Sequence, residues 1–84
     1  MDEILEIKPE RIENDFKMLE TFTDPEAPWT RRAFSSQNKK ARKWLADQFR
    51  AAGLDVYNDA ASNLIGRRGG DGDQVFMMGS HSDT

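Results

Sequence analysis

The spacing of the apolar residues changes at Gly53, and this change limits the chain to a fold in which helices come first and strands follow. Before Gly53 the apolar residues recur at helical spacing, which is typical of amphipathic helices. After Gly53 they alternate or form a short continuous run, which is typical of strands. This order of patterns predicts the α/β fold class.

The first predicted helix covers about Pro9–Phe22. Pro9 is favoured in the first turn of a helix, where its missing N–H is not needed. Ile12, Phe16 and Leu19 recur at helical spacing and form an apolar stripe along one face. The two prolines in the segment 25–28 cannot continue a helix, so they separate this element from the next.

The second predicted helix covers Ser36–Ala52. Ser35 or Ser36 can cap its N-terminus by accepting a hydrogen bond from a backbone N–H group. Gly53 ends it, because glycine readily adopts the left-handed conformation that closes a helix. The predicted buried face consists of Ala41, Trp44, Leu45, Gln48, Phe49 and Ala52.

Three short strands are predicted after the helices, near Leu54–Tyr57, Leu64–Arg67 and Val75–Gly79. A turn at 58–63 joins the first two into a β-hairpin. The third is a continuous apolar run, which is typical of a central strand covered on both faces. Because two helices and a hairpin cannot surround a central strand, we expect this 84-residue chain to be incomplete on its own.

The composition excludes several classes of protein. The chain has no cysteine, which rules out disulfides and thiolate metal sites within it. Its first residues lack the basic and apolar regions of a signal peptide, and no apolar run is long enough to span a bilayer. We therefore expect a cytoplasmic protein with no membrane partner.

The charges are segregated along the chain. Residues 1–28 contain nine acidic side chains against three basic ones, whereas residues 31–50 contain seven basic side chains against one acidic. The basic face of helix 36–52 could make the chain a small binding module for an acidic partner. A solvated helix face is the simpler explanation. A nucleic-acid partner is not expected, because no aromatic residues interleave with these bases to stack on nucleobases.

The residues with the clearest chemical potential follow the third predicted strand, in the motif Gly79-Ser80-His81-Ser82-Asp83-Thr84. His81 and Asp83 point to the same side of an extended chain because they lie two residues apart. A neutral imidazole binds zinc, and a carboxylate can hold its other ring nitrogen. The pair also occurs by chance in many sequences. No other histidine is present, so further ligands must come from elsewhere.

Arg31 precedes the second helix and has a less specific interpretation. It is predicted to be a surface residue, although its side chain could reach a substrate carboxylate. Asn63 is predicted to hold its turn, while Trp44 and Phe49 are predicted to pack in the core.

From Trp29 to Thr84 the sequence resembles the hydantoinase/carbamoylase branch of the two-zinc aminopeptidase and amidohydrolase superfamily. This branch comprises N-carbamoyl-L-amino-acid hydrolases and allantoate amidohydrolases. The similar residues, in order, are Thr30-Arg31, Ala41-Arg42, Trp44-Leu45, Ala52-Gly53-Leu54, Asp59-Ala60-Ala61, Asn63-Leu64, Gly66-Arg67 and Gly79-Ser80-His81-x-Asp83-Thr84. The family pattern usually has glycine where this chain has Ser62.

The resemblance implies that residues 1–84 are the N-terminal part of an α/β zinc-hydrolase catalytic domain, without the dimerisation domain. It implies that His81 binds one of two divalent metal ions and that Asp83 orients this histidine. Zinc is the default metal, with manganese, cobalt or nickel as alternatives. The general base and remaining ligands are expected beyond Thr84.

The activity implied by the resemblance is hydrolysis of the C–N bond of linear ureido or amide substrates. N-carbamoyl-amino acids, allantoate and β-ureidopropionate are the candidate substrates, and the whole protein is expected to be a homodimer. We expect the isolated chain to be inactive. A non-catalytic structural fragment is the remaining alternative for it.

Overall fold

The computed structural model describes residues 6–70, 72 and 74–84, which contain two α-helices followed by a two-stranded antiparallel sheet. The elements are α1 (Pro9–Glu20), α2 (Ser36–Ala51), β1 (Asp55–Asn58) and β2 (Leu64–Arg67). Two helices followed by a hairpin are the first part of the predicted α/β arrangement. The boundaries agree with the predicted ones to within two residues.

Helix α1 begins at Pro9, as predicted, and ends two residues before the predicted end at Phe22. The ring of Phe22 lies 6.4 Å from that of Trp44, centroid to centroid, so the segment after α1 packs on α2. On the apolar stripe, Ile12 is 47% exposed and Phe16 is 64% exposed. The predicted stripe is therefore present, but most of it is open to solvent.

Helix α2 begins after Ser35, whose hydroxyl oxygen accepts the backbone N–H of Asn38 at 3.1 Å. This bond satisfies one of the N–H groups that have no partner within the helix, as predicted from the serine pair. Ala41 and Ala46 are buried on the inner face. The prediction that Ala52 is buried was wrong, because this residue follows the last helical turn and is exposed.

Gly53 ends α2 with a φ of +85°, in the left-handed region that favours glycine. Its N–H donates to the carbonyl of Arg50 at 2.9 Å, and the N–H of Leu54 donates to the carbonyl of Phe49 at 3.0 Å. These two bonds form a Schellman motif, which turns the chain from α2 into β1. The prediction of Gly53 as the helix terminator is confirmed.

The hairpin packs against α2 at a point where one glycine is required. A Cβ atom on Gly66 would lie 2.8 Å from both Leu54 Cδ1 and Phe49 Cδ2, so helix and hairpin approach closely only because glycine has no side chain. Arg42 donates from Nη2 to the side-chain oxygen of Asn58 at 2.6 Å. The strand pairs are Asp55 with Arg67, Val56 with Gly66, Tyr57 with Ile65, and Asn58 with Leu64.

The prediction of a third strand at Val75–Gly79 was wrong. Residues 74–84 form neither helix nor strand, and Val75, Phe76, Met77 and Met78 are between 72% and 87% exposed. A central strand needs neighbouring strands for its backbone hydrogen bonds and covering layers for its side chains. Within the described residues the sheet ends at β2, so the apolar run has no such partners.

Neither of the helices in the described part of the chain is both long enough and apolar enough to cross a membrane.

Candidate metal-binding segment

The segment Gly79–Thr84 is neither helix nor strand, and its side chains differ in environment. Ser82 is half-buried, whereas His81 and Asp83 on either side of it are exposed. Ser82 anchors the segment through its contacts with Arg31 and Asn38, whereas His81 and Asp83, the two residues with metal-binding chemistry, face solvent.

His81 and Asp83 contact each other through a defined ring nitrogen. Nδ1 of His81 lies 3.2 Å from Oδ1 of Asp83 and 3.1 Å from the Asp83 backbone carbonyl oxygen. Both partners accept hydrogen bonds, so Nδ1 carries the hydrogen, and in a neutral imidazole the lone pair is then on Nε2. The His81 side chain is 83% exposed, which leaves Nε2 accessible to a ligand from solution.

The pair supplies part of a metal site. An accessible imidazole Nε2 whose Nδ1–H is held by a carboxylate is the usual arrangement of a zinc-binding histidine. A catalytic zinc site takes three protein ligands, however. Within residues 6–70, 72 and 74–84, no group of three or more His, Cys, Asp or Glu side chains is close enough to hold a metal ion. The described residues therefore fit one ligand and its orienting partner.

Arg31 fastens this segment to the helical part of the molecule. Its Nε donates to the Ser82 carbonyl at 2.7 Å, and its Nη1 donates to the Leu19 carbonyl at 2.8 Å. The backbones of Arg31 and Thr84 exchange N–H···O bonds in both directions, and the bond from the Thr84 N–H is 2.7 Å long. Arg31 is only 8% exposed.

The prediction of Arg31 as a surface residue was wrong for a reason that its position in the sequence does not reveal. Its partners lie 12 and 51 residues away along the chain, so only tertiary folding brings them together. A buried guanidinium needs acceptors for its N–H groups, and the two carbonyls accept two of the five. The resemblance of Thr30-Arg31 to the family pattern was the one sequence signal that set this arginine apart.

Asn38 also contacts the segment 79–84, and the sequence pattern did not predict this contact. Its side chain is buried and donates from Nδ2 to the hydroxyl oxygen of Ser82 at a long 3.5 Å. Because the same residue supplies the N–H that is capped by Ser35, its position is set by the first turn of α2. A polar residue near the start of a helix carries no sequence signal that would have identified this contact.

The turn between β1 and β2 is held by Asp59. Its carboxylate accepts the side-chain amide of Asn63 at 2.9 Å and the backbone N–H groups of Ala61 and Asn63 at 3.0 and 2.9 Å. These bonds, the side-chain bond from Asn63 first among them, hold the pKa of Asp59 below its usual value. The prediction that Asn63 holds its turn is confirmed.

The backbone conformation of Ser62 explains why the family pattern favours glycine at this position. Its φ is +67°, in the left-handed region that an L-residue other than glycine adopts at a cost. The turn keeps its shape in this chain because the Ser62 N–H donates to the Asp59 carbonyl at 3.0 Å, and the Asp59 N–H donates to the Asn63 carbonyl at 3.1 Å. Serine at this position therefore adopts a backbone conformation that glycine would adopt at lower cost.

Two curated proteins are similar to this chain. An N-carbamoyl-L-amino acid amidohydrolase of Geobacillus stearothermophilus is 42% identical over 62 residues, which cover 71% of this chain and 15% of that protein. An N-carbamoyl-L-amino-acid amidohydrolase of Paenarthrobacter aurescens is 35% identical over 77 residues, which cover 89% of this chain and 19% of that protein.

The match is short relative to these proteins, since the chain spans less than a fifth of their length. No family model matches the chain. No solved structure matches it either. The identity nevertheless extends over most of the chain in both relatives. The chain is thus homologous to a segment of the N-carbamoyl-L-amino-acid amidohydrolases, and for this fragment the match supports the carbamoylase branch that its motifs resemble.

Proposed function

We propose that the protein containing this chain is a metal-dependent amidohydrolase that cleaves the C–N bond of N-carbamoyl-L-amino acids. Water adds to the ureido carbonyl, and the products are the free amino acid, carbon dioxide and ammonia. Allantoate and β-ureidopropionate are further candidates because they contain the same linear ureido group. The names of both similar proteins support the N-carbamoyl substrate class.

The observation that carries this proposal is the contact between Nδ1 of His81 and Oδ1 of Asp83 at 3.2 Å. In the proposed site His81 binds a divalent metal through Nε2, and Asp83 fixes the tautomer and the direction of the ring. Zinc is the proposed metal, and two ions per subunit are expected. A bound divalent cation supplies Lewis-acid polarisation of the substrate carbonyl.

The remaining ligands are proposed to come from parts of the protein outside this chain. The described residues offer one histidine and one orienting carboxylate, and the matched relatives are more than five times longer than the matched segment. The exposed apolar run 75–78 is the surface that the rest of the domain would cover. We accordingly expect no hydrolysis by the isolated chain.

The proposal is tested by measuring bound zinc and ammonia release from N-carbamoyl-L-amino acids in the whole protein. His81→Ala is expected to lose one metal ligand and nearly all activity. Asp83→Asn keeps an oxygen that can accept the ring N–H but loses the negative charge, so we expect metal affinity or activity to fall by about 10–100-fold. Full metal content and normal turnover in His81→Ala would refute the proposal.

A double variant of the exposed lysines Lys40 and Lys43 provides the matched control and tests the alternative function. Changing both to glutamine removes two charges from the basic face of α2 without touching the segment 79–84. The hydrolase proposal predicts unchanged ammonia release. If the protein is instead a binding module for an acidic partner, the unsubstituted protein has no ureido hydrolase activity. Its salt-dependent binding to a polyanion would then weaken in the variant.

A further inference from the structure

Arg31 forms hydrogen bonds with Ser82 and Thr84, two of the last three residues of the candidate metal-binding segment. Its side chain bonds to the Ser82 carbonyl, and its backbone bonds in both directions to Thr84. Asp83 lies between these two anchored residues. Its backbone is therefore held on both sides, and the contact between Asp83 and His81 is held with it.

The other end of the guanidinium connects this anchor to the helices. Nη1 donates to the carbonyl of Leu19 in the last turn of α1, and the same oxygen also accepts the backbone N–H of Phe22 at 3.1 Å. One planar group thus joins the end of α1 to Ser82, with both bonds between 2.7 and 2.8 Å. Arginine suits this position because its donors are fixed in a rigid fork.

The burial of Arg31 argues against a direct role with substrate. The residue is 8% exposed, and its Nε and Nη1 atoms are both engaged by backbone carbonyls. Turning Nε and Nη1 toward a substrate carboxylate would break these two bonds, which is costly in a buried setting. The contacts of Arg31 with Ser82 and Thr84 are to backbone atoms, so Arg31 acts on the candidate site through the backbone of this segment.

From these contacts we infer that Arg31 is a positioning residue, which holds the backbone of residues 82–84 so that Asp83 can orient the His81 ring for metal binding. This inference rests on the proposed function of His81 and Asp83. It adds a residue that lies about fifty positions earlier in the sequence and has no metal-binding chemistry of its own. Loss of the Arg31 hydrogen bonds should leave the His81 imidazole and the Asp83 carboxylate present but poorly oriented toward each other.

The test uses two variants of Arg31 and one matched control in the whole, metal-free protein. Arg31→Met removes the guanidinium but keeps an unbranched apolar side chain. Arg31→Lys keeps the charge, but a single ammonium cannot make both bonds in the plane of the original fork. Arg32→Met is the control, because Arg32 is adjacent and exposed.

Two quantities are measured on folded protein, as judged by circular dichroism. The first is amide hydrogen exchange in a peptide covering residues 79–84, which is expected to accelerate in Arg31→Met. The second is the zinc dissociation constant by chelator competition, expected to rise by about 10–100-fold in Arg31→Met, less in Arg31→Lys and not at all in Arg32→Met. A purely structural role would lower the melting temperature without changing zinc affinity in the folded protein.

The outcomes separate this inference from the function on which it rests. If His81→Ala binds zinc as tightly as the unsubstituted protein, the proposed metal site itself is wrong. If His81→Ala loses zinc while both folded Arg31 variants keep the original affinity and exchange rates, only the positioning role is overturned. If Arg31→Met fails to fold, Arg31→Lys alone decides: unchanged zinc affinity with accelerated exchange in residues 79–84 would also overturn it.

Discussion

Replacing Gly66 with alanine should strongly destabilise the contact between α2 and the hairpin. The added Cβ would lie 2.8 Å from Leu54 Cδ1, 2.8 Å from Phe49 Cδ2 and 3.2 Å from Phe49 Cγ. Carbon atoms in contact normally lie about 3.5–4.0 Å apart, so at least two of these contacts are too short by about 0.7 Å. The leucine methyl can rotate away, but the phenylalanine ring would have to shift as a unit.

The size of the effect follows from two opposing terms. An extra carbon in a well-packed contact costs about 1–3 kcal/mol. Removing glycine from a strand recovers about 0.5–1 kcal/mol, since alanine loses less conformational entropy on folding. The net loss in the free energy of unfolding is then about 1 kcal/mol at the midpoints of these ranges and at most about 2.5 kcal/mol. Each 1 kcal/mol lowers the Tm by about 4–8 °C in a domain of 60–100 residues.

The assay is thermal and urea unfolding of the purified protein, with Gly69→Ala as the matched control. A Cβ on Gly69 would meet no atom within 4 Å, so this substitution should be close to neutral. Shortening Leu54 to alanine should relieve part of the clash, giving a coupling free energy of about 0.5–3 kcal/mol in a double-mutant cycle with Gly66→Ala. Equal stability of the Gly66→Ala and Gly69→Ala proteins would refute the close approach of helix and hairpin.

Two further predictions concern the turn between the strands. Ser62→Gly should raise the free energy of unfolding by about 0.5–1 kcal/mol in thermal melts, because glycine relieves the left-handed strain but loses more chain entropy; a similar gain in Ser62→Ala, which keeps the strained φ, would contradict this. The folded-state pKa of Asp59 is lowered, so its stabilisation is fully present at neutral pH and is lost as the pH falls below about 4 and through the folded pKa. Asp59→Asn should therefore flatten the dependence of stability on pH in this acid range, and an unchanged acid profile would rule out the carboxylate as its source.

The elements that the sequence predicted well are those decided by interactions between residues close along the chain. Pro9 begins α1, Ser35 caps α2, and α2 closes at Gly53 through bonds from Gly53 to Arg50 and from Leu54 to Phe49. The Asp59–Asn63 turn spans only four residues. In each case the residue type determines the local conformation with little dependence on the rest of the fold.

The candidate site was only partly predictable. The spacing of His81 and Asp83 indicated that they could contact each other, and Nδ1 and Oδ1 lie 3.2 Å apart. Their proposed role in metal binding stays a prediction. The third strand was predicted from its apolar composition alone, which describes what such a segment can bury but not whether partners for it are present.

What only the tertiary structure decided are the contacts between residues far apart in the chain. The burial of Arg31, its bonds to Leu19 and Ser82, and the close approach at Gly66 all depend on where the helices and the hairpin come to lie. A sequence pattern records the local preference of each residue, whereas these contacts depend on the packing of whole elements against one another. For this reason the sequence identified the two residues that carry the proposed chemistry, and the fold identified the arginine that bonds to the residues on either side of Asp83.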